Sequence, residues 1–139
     1  MRIARRFFSS VLILATVPGL IFGQTPCAPQ KHAKLPFVLD LTYHKARPRL
    51  LRAGWQPYPT IHHNDITNPR ISYGSAKIFW KKGYWEIEEC AGTGLDPCAF
   101  LFEDAYGNKL RVTTAGEEHP GQKYVARVTG YKFVCGDLD

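Results

Sequence analysis

The sequence predicts an α+β domain in which one N-terminal helix packs on an antiparallel sheet of about four strands. The first half carries apolar residues at helical spacing between Leu41 and Trp55. From Gly83 onward, short runs alternate apolar and polar residues and are separated by turns rich in glycine, proline and asparagine, which is typical of strands. Four cysteines, an even number, predict two disulfides.

The helix is predicted over residues 41–55. The residues on its apolar face are Tyr43, Ala46, Leu50 and Trp55. The basic residues on its other face are Lys45, Arg49 and Arg52. Pro48 lacks an amide hydrogen and clashes with the carbonyl four residues earlier, so regular helix is expected to begin near Ala46. Gly54 is expected to end the helix in the left-handed conformation, and Pro57 prevents its continuation.

Short strands are predicted at 84–90, 98–103, 109–114, 123–128 and 131–135. A turn at 104–108 joins two of them into a hairpin, in which Glu103 is expected to pair with Lys109 or Arg111 across the strands. Gly130 is expected to form a bulge or bend between the last two. Residues 56–75 are predicted to be a loop or short extended pieces, and residues 75–80 a short strand or a helical turn.

The first 23 residues are predicted to be a secretory signal peptide. Three arginines within the first six residues form a positive start, an apolar run extends from Phe7 to Phe22, and Gly23 precedes the expected cleavage site. An uncleaved membrane anchor is the alternative, but a run of about 16 residues spans only roughly 24 Å as a helix, against about 30 Å of hydrocarbon. Residues 24–36 are then an irregular segment, and residues 37–139 form a single domain.

Cleavage changes the net charge, on which the class of partner depends. The whole chain has 18 lysines and arginines against 12 acidic residues, a formal charge of +6. Loss of residues 1–23 removes three arginines and no acids, which leaves 116 residues and a charge of +3. This length suits one domain with its own core. A charge of +3 gives no argument for nucleic-acid binding.

All four cysteines follow the predicted signal peptide, which is typical of a disulfide-bonded domain in the periplasm or outside the cell. Three pairings are possible. The loop 91–97, rich in Gly, Pro and Asp, brings Cys90 and Cys98 together, which leaves Cys27 to pair with Cys135. A metal site or a catalytic thiol is the alternative, and neither the spacing nor the compartment favours it.

His62, His63 and Asp65 form the densest polar group in the chain, and imidazoles with a carboxylate are able to bind a metal ion. Adjacent residues on an extended chain point to opposite sides, however, so the two histidines share one ion only across a turn. A solvated loop is therefore the expected structure, and no metal or other cofactor is predicted.

Glu86 and Glu88 are expected on one face of a strand, opposite Trp85 and Ile87. Their Cα atoms would be about 7 Å apart, a spacing that does not exclude a glycosidase pair. Such a pair would also need a cleft, and 116 residues leave little chain to build one. An exposed strand face that balances nearby lysines is the expected structure.

The basic side of the predicted helix is a candidate binding surface for anionic lipid or wall polymer. Its residues are Lys45, Arg49, Arg52 and, at the helix end, Trp55. An ordinary solvated helix face is the alternative, with Trp55 packed against the end of the helix.

Three motifs occur in order within residues 43–117. They are Ala46-Arg47…Leu50…Ala53-Gly54-Trp55-Gln56-Pro57, then Cys90-Ala91-Gly92-Thr93-Gly94…Cys98-Ala99-Phe100, and then Phe102…Asp104…Gly107-Asn108…Thr114. The order of a helix, Gly-Trp-x-Pro, Cys-x-Gly-Thr-Gly and Cys-x-Phe resembles a group of small exported bacterial proteins of unknown function. The resemblance implies a fold and an envelope location, and it implies no activity. Pro48 departs from that pattern.

Together these features predict a non-enzymatic binding protein whose partner is an envelope or secreted protein, with inhibitor or accessory factor as its role. The chain is small, disulfide-closed and rich in aromatics, and it contains no Gly-x-Ser-x-Gly, His-Glu-x-x-His or Cys-x-x-Cys motif. An exposed patch that contains aromatic residues is expected. The alternatives are a module that binds anionic lipid or wall polymer, and a small hydrolase that uses the histidine loop or the glutamates.

Overall fold

The computed structural model describes residues 27–119 and 121–136. The predicted signal peptide, residues 1–23, lies outside the described residues. Within the described ranges, no helix has the length and apolar character needed to cross a bilayer.

The α+β class is confirmed. The elements in chain order are α1 (Tyr43–Arg52), β1 (Gln56–Pro57), a 3-10 turn (Pro69–Ile71), α2 (Gly74–Lys81), β2 (Ile87–Cys90), β3 (Cys98–Glu103), β4 (Lys109–Ala115) and β5 (Arg127–Val134). The five strands form one antiparallel sheet, and both helices pack on the same face of it.

Strand β3 is the centre of the sheet. β4 pairs with it from Cys98 opposite Thr114 to Glu103 opposite Lys109, and β5 continues beyond β4. The other edge of β3 is shared, because β1 pairs with its last two residues and β2 with its first three. The predicted hairpin is confirmed, and so is its cross-strand ion pair, in which Lys109 Nζ lies 2.5 Å from Glu103 Oε1.

Residues 127–134 form one strand where two were predicted. The β4–β5 ladder is irregular where Thr113 lies opposite Gly130 and Thr114 opposite Val128. Thr129 is the extra residue at this point, and its Oγ1 donates to the carbonyl of Thr113 at 3.3 Å. The irregularity expected near Gly130 is therefore a bulge within a continuous strand.

Helix α1 begins at Tyr43, three residues earlier than expected, and contains Pro48 in its interior. The missing Pro48 hydrogen bond is outweighed by the burial of Tyr43, Ala46 and Leu50, since each fully buried large apolar side chain stabilises by about 1.5–3 kcal/mol. The helix ends as predicted. Gly54 has a φ of 100°, and the amide of Trp55 reaches back to the carbonyl of Leu50 at 3.1 Å.

The second helix, α2, occupies the segment predicted as a short strand or a helical turn. It ends in the same way as α1, because Gly83 has a φ of 80° and the amide of Tyr84 donates to the carbonyl of Phe79 at 3.1 Å. Both helices thus end in a Gly-aromatic pair, Gly54-Trp55 and Gly83-Tyr84.

The core lies between the helices and the sheet. Alternation along β3 and β4 turns four apolar side chains toward the helices, namely Phe100, Phe102, Leu110 and Val112. Tyr43 of α1 stacks on Phe100 with ring centroids 3.6 Å apart, and Phe79 of α2 meets Phe100 edge-on at 5.0 Å. This aromatic group positions both helices against the centre of the sheet.

Residues 27–41 contain neither helix nor strand, but they are tied to the end of the β3–β4 hairpin. The amide of Ala33 donates to Asp104 Oδ2 at 2.8 Å, and Asn108 Nδ2 donates to the carbonyl of Lys31 at 2.8 Å. The irregular segment therefore packs on the domain.

Two disulfides are confirmed, Cys27–Cys135 and Cys90–Cys98, with Cα atoms 6.0 and 4.0 Å apart. The first closes a separation of 108 residues and the second a separation of 8. Disulfides persist in oxidising compartments, so they indicate that the protein works outside the reducing cytoplasm.

Candidate functional site

Glu86 is fully buried, which corrects the expectation that it lies on an exposed strand face. Its carboxylate accepts hydrogen bonds from Arg47 Nε at 2.6 Å and from Tyr43 Oη at 2.8 Å. Burial raises the pKa of Tyr43 well above its ordinary value, and the charge of Glu86 raises it further. Burial alone would lower the pKa of Arg47, but the hydrogen bond and charge of Glu86 raise it. This group joins α1 to the start of β2.

Glu88 faces the other side of the sheet. Its carboxylate accepts two hydrogen bonds from Arg111, at 2.6 and 2.8 Å, on the face turned away from the helices. The expected alternation fails because β2 begins only at Ile87, so Glu86 lies in the turn before it, and because the β2–β3 ladder is irregular between Ile87 and Glu89. Glu86 and Glu88 therefore share no face, and each is engaged by an arginine, so they do not form the carboxylate pair of a glycosidase.

A second polar chain joins α1 to the loop after β4. His44 Nδ1 lies 3.0 Å from Tyr84 Oη, and its Nε2 lies 2.5 Å from Glu118 Oε1. Glu118 Oε2 accepts from the amide of Ala126 at 3.1 Å, and the amide of Glu118 donates to Ser75 Oγ at 2.9 Å. Burial raises the pKa of Tyr84, so its hydroxyl stays protonated and is a poor nucleophile. These hydrogen bonds hold α1, α2 and the loop after β4 in fixed positions relative to one another.

These hydrogen-bonded residues lie beneath a surface that we call the three-loop face. It is formed by residues 73–75, 91–97 and 116–126 without Pro120. It lies at the end of the hairpin where β3 begins and β4 ends. A cleft of about 250 Å³ opens between the loops and is lined by Tyr73, Gly74, Ser75, Ile78, Gly92, Asp96, Glu117, Glu118 and His119. Three of these residues are acidic, but Asp96 and Glu118 are buried and hydrogen-bonded within the protein, so the cleft offers a partner the carboxylate of Glu117.

Three large apolar side chains project from the three-loop face. Leu95 is 74 % exposed, Tyr124 63 % and Tyr73 59 %. Each comes from a different loop, and solvent-exposed apolar groups collected on one face mark interaction surfaces. Exposed aromatic residues, which the expected binding patch requires, are therefore present at this end of the domain.

The loop that carries Leu95 has a fixed backbone. The Cys90–Cys98 disulfide closes it, and Asp96 Oδ1 accepts a hydrogen bond from the amide of Gly92 at 2.9 Å. The amide of Gly116 donates to the carbonyl of Leu95 at 2.6 Å. Asp96 also lies beside both sulfurs, but a disulfide leaves no thiolate to bind a metal. The loop therefore presents Leu95 from a rigid frame.

The opposite end of the hairpin carries a basic surface, which we call the basic groove. It has a volume of about 470 Å³ and is lined by Lys34, Leu35, Pro36, Phe37, Arg49, Arg52 and Ala53. Phe37 is 71 % exposed, and its carbonyl accepts a hydrogen bond from Arg49 Nη1 at 3.1 Å. Arg49 and Arg52 thus lie on the surface as predicted, with Lys45 exposed one to two turns earlier on α1.

Trp55 does not belong to this surface, which corrects its assignment as a surface-binding residue. It is fully buried, and its Nε1 donates to the carbonyl of Lys34 at 3.0 Å. The Gly54 turn directs the chain back toward the sheet and carries the indole into the core. Phe37, from the irregular segment, is the exposed aromatic residue beside the arginines.

The histidine loop, residues 62–65, does not gather its candidate metal ligands. His62 and His63 are exposed. The carboxylate of Asp65 instead accepts hydrogen bonds from Thr67 Oγ1 at 3.3 Å and from Asn68 Nδ2 at 3.0 Å, which fold the loop on itself. Asp65 thus serves the loop's own structure.

Sequence reasoning missed the three-loop face as a unit because its loops are far apart in the chain. One local signal was available. Leu95 is an apolar residue between Gly94 and Asp96-Pro97 inside a short disulfide loop, where there is no room for a core side chain. Such a residue is expected to point to solvent.

No family model matches this chain, and neither a curated protein nor a solved structure matches it.

Proposed function

We propose that the protein is an exported, non-enzymatic domain that binds a partner protein of the cell envelope through the three-loop face, as an inhibitor or accessory factor. The observation that carries the proposal is the exposure of Leu95, Tyr73 and Tyr124 on three loops that each contribute residues to one cleft. Export rests on the two disulfides and on the predicted signal peptide, whose cleavage after residue 23 leaves the chain periplasmic or secreted.

The chemistry of this face defines its partner. Tyrosines are frequent anchors of protein interfaces, because the ring buries apolar area while the hydroxyl keeps a polar partner. Glu117, the exposed carboxylate at the cleft, favours a partner surface with lysine or arginine beside an apolar socket. Leu95, at the tip of the disulfide loop, fits such a socket.

The backbone of the loop that carries Leu95 is fixed in the free protein, which favours a binding function for this loop. The disulfide, the Asp96–Gly92 hydrogen bond and the Gly116–Leu95 hydrogen bond fix the backbone before any partner arrives. Ordering a flexible interface costs about 0.5–1.5 kcal/mol for each immobilised side chain, so a rigid loop binds with a smaller entropic cost.

Site-specific photo-crosslinking tests the proposal. A photoreactive phenylalanine analogue replaces Leu95 in one variant and Tyr106 in a matched control. Tyr106 is also an exposed aromatic residue, but it lies in the turn at the far end of the hairpin. Irradiation in the producing cells should yield one cross-linked protein of defined mass from position 95 and none from position 106.

The cross-linked protein is then purified for calorimetry. We expect Leu95→Asp to weaken its binding at least tenfold, Glu117→Lys to weaken it several-fold, and Tyr106→Ala to leave it unchanged. Absence of a product from position 95, or binding that is indifferent to Leu95→Asp, would contradict the proposal.

A second candidate function is attachment to an anionic membrane surface through the basic groove. The observation that favours it is Phe37, an exposed ring flanked by Lys34, Arg49 and Arg52. Basic side chains attract anionic headgroups, with each contributing about 1 kcal/mol near such a surface, and an adjacent apolar ring enters the interface.

Vesicle sedimentation tests whether the basic groove binds a membrane or is an ordinary solvated helix face. Wild type should sediment with vesicles that contain phosphatidylglycerol and be released by 0.5 M salt, whereas Arg49→Glu with Arg52→Glu should stay in solution. Lys132→Glu, on the exposed strand β5, is the matched control for charge alone. Binding to purified wall polymer but not to vesicles would reassign the groove to that polymer, and unchanged sedimentation of the double variant would refute both.

A further inference from the structure

A third pocket lies beside the start of β2, apart from both surfaces described above. Its volume is about 370 Å³, and its lining residues are Pro59, Thr60, Ile61, His62, His63 and Trp85. This volume is at the lower end of the range for small-molecule sites, about 300–1,000 Å³. The pocket is the size of a small ligand rather than of a protein surface.

Trp85 forms one wall. It is 43 % exposed, although its neighbours Tyr84 and Glu86 are held in polar contacts with α1. The His63 ring packs against the indole at a centroid distance of 4.2 Å and an interplanar angle of 85°. This perpendicular contact holds the indole in one orientation and leaves part of its surface open to a flat, apolar ligand face.

The pocket also offers hydrogen-bonding groups. Imidazole rings of His62 and His63 each provide one donor and one acceptor in their neutral form, and the indole of Trp85 provides a donor. Thr60 Oγ1 is buried and has no hydrogen-bond partner among the described residues. Because that atom is closed to solvent, the hydrogen bonds open to a ligand come from His62, His63 and Trp85.

Charge separates this pocket from the other two. The cleft of the three-loop face contains three acidic residues, and the basic groove contains one lysine and two arginines. No aspartate, glutamate, lysine or arginine is among the described residues that line the third pocket. Its ligand is therefore expected to be neutral.

We propose that this pocket binds a neutral saccharide ring, a function independent of the partner-binding face. A pyranose has an apolar face of C–H groups, which packs on the open surface of Trp85, and hydroxyls at its edge, which pair with the imidazoles of His62 and His63. An aromatic wall with a few convergent polar groups is the general composition of a ligand site.

A proline-rich peptide is the other neutral ligand for an aromatic pocket. Such peptides bind as extended left-handed helices with a rise of about 3.1 Å per residue, so they need a long groove. Here five of the six lining residues are consecutive in the chain, and they enclose one compact pocket. The saccharide is therefore favoured.

Calorimetry on the disulfide-bonded exported chain tests the proposal. The probes are tetrasaccharides of β-1,4-linked N-acetylglucosamine, β-1,4-linked glucose and α-1,4-linked glucose, together with a proline-rich decapeptide. We expect at least one tetrasaccharide to bind with a Kd below about 1 mM and the peptide not to bind. Trp85→Ala should weaken the saccharide at least tenfold, and Tyr106→Ala, which removes a distant exposed ring, should have no effect.

His62→Ala is the most informative variant. Its imidazole is exposed and lines the pocket, so its removal should leave thermal stability unchanged. Saccharide binding should nevertheless fall several-fold. Binding only of the peptide, no binding of any saccharide, or saccharide binding unaffected by Trp85→Ala would overturn the proposal.

Discussion

The two sides of helix α1 use the same residue type for different purposes. Arg47 points inward and donates to the buried carboxylate of Glu86, at 2.6 Å from its Nε. Arg49 and Arg52 point outward into the basic groove, where no carboxylate is among the lining residues. Arg47 and Arg49 are only two positions apart, yet one is bound to a buried carboxylate and the other is exposed on a candidate binding surface.

The difference follows from helix geometry. At about 100° per residue, Arg47 lies roughly 40° from Tyr43, at the border of the apolar face, whereas Arg49 lies roughly 120° and Arg52 roughly 180° from Tyr43. A count of basic residues therefore overstates the charge that α1 offers to a partner. Arg47 is a structural residue, and the candidate binding function rests on the other two.

The largest expected effect is on Arg47. Arg47→Ala leaves the Glu86 carboxylate buried without its cation, so we expect the free energy of unfolding to fall by about 3–5 kcal/mol. Urea unfolding followed by circular dichroism measures it. Arg49→Ala is the matched control and should change stability by less than about 0.5 kcal/mol. Similar losses of unfolding free energy in the two variants would mean that Arg47 and Arg49 contribute equally to stability.

Tyr43→Phe removes the second donor to Glu86. A hydrogen bond to a charged group contributes about 1.5–3 kcal/mol, and we expect a loss of that size at pH 7. The raised pKa of Tyr43 favours its neutral form in the folded state. Its contribution to wild-type stability is therefore fully present below about pH 10 and is lost as the pH rises above that value.

The variant should therefore lose less stability than wild type between pH 9 and pH 11. Urea midpoints across that range measure the difference. Tyr84, whose pKa is also raised, remains in the variant, so some pH dependence persists. An equally steep decline in both proteins would mean that Tyr43 does not carry the effect.

Asp104 is a carboxylate that is stabilised by backbone amides, whereas Glu86 is stabilised by an arginine. It accepts hydrogen bonds from the amides of Ala33, Tyr106 and Asn108 at 2.8–2.9 Å. Burial alone would raise its pKa, but hydrogen bonds from Asn108, Ala33 and Tyr106 lower it. Asp104→Asn should cost about 1–3 kcal/mol at pH 7, because the amide cannot accept all of these bonds.

The lowered pKa of Asp104 sets the direction of its pH dependence. Its contribution is present above about pH 3.9, the ordinary pKa of an aspartate, and is lost as the pH falls through the folded-state pKa. Acid unfolding should therefore be shallower in Asp104→Asn than in wild type between pH 5 and pH 2. Parallel acid transitions would assign the acid sensitivity to other groups.

The smallest expected change in stability is at the groove. Arg49→Gln together with Arg52→Gln should leave the unfolding free energy within about 0.5 kcal/mol of wild type, since exposed charges contribute little. Differential scanning calorimetry measures this. A large loss would show that the outer arginines, like Arg47, hold the fold.

Local features of the fold were predictable from sequence. The α+β class, the Cys90–Cys98 loop, the Glu103–Lys109 pair and the Gly54 end of α1 all depend on residues within about ten positions of each other. The second helix could also have been predicted from the sequence. Gly83-Tyr84 repeats the Gly54-Trp55 signal that ends α1, and a run of eight residues before it is long enough for two helical turns.

The candidate sites were harder to predict than the fold. Arg49 and Arg52 were placed on the surface because helical periodicity is local. Trp55 was misplaced because its burial depends on Lys34 and on the sheet. Glu86 was misplaced because the strand predicted at 84–90 begins only at Ile87, so Glu86 lies in a turn to which strand alternation does not apply.

The sequence by itself therefore determined that this is a small disulfide-bonded α+β chain, because caps, alternation and loop closure act over a few residues. Tertiary structure alone decided which charged groups are internal. Tyr43 and Glu86 are 43 residues apart in the chain, and the three loops around Leu95 meet only after the hairpin and α2 have packed. Burial of a charge depends on such distant partners, whose positions no local pattern specifies.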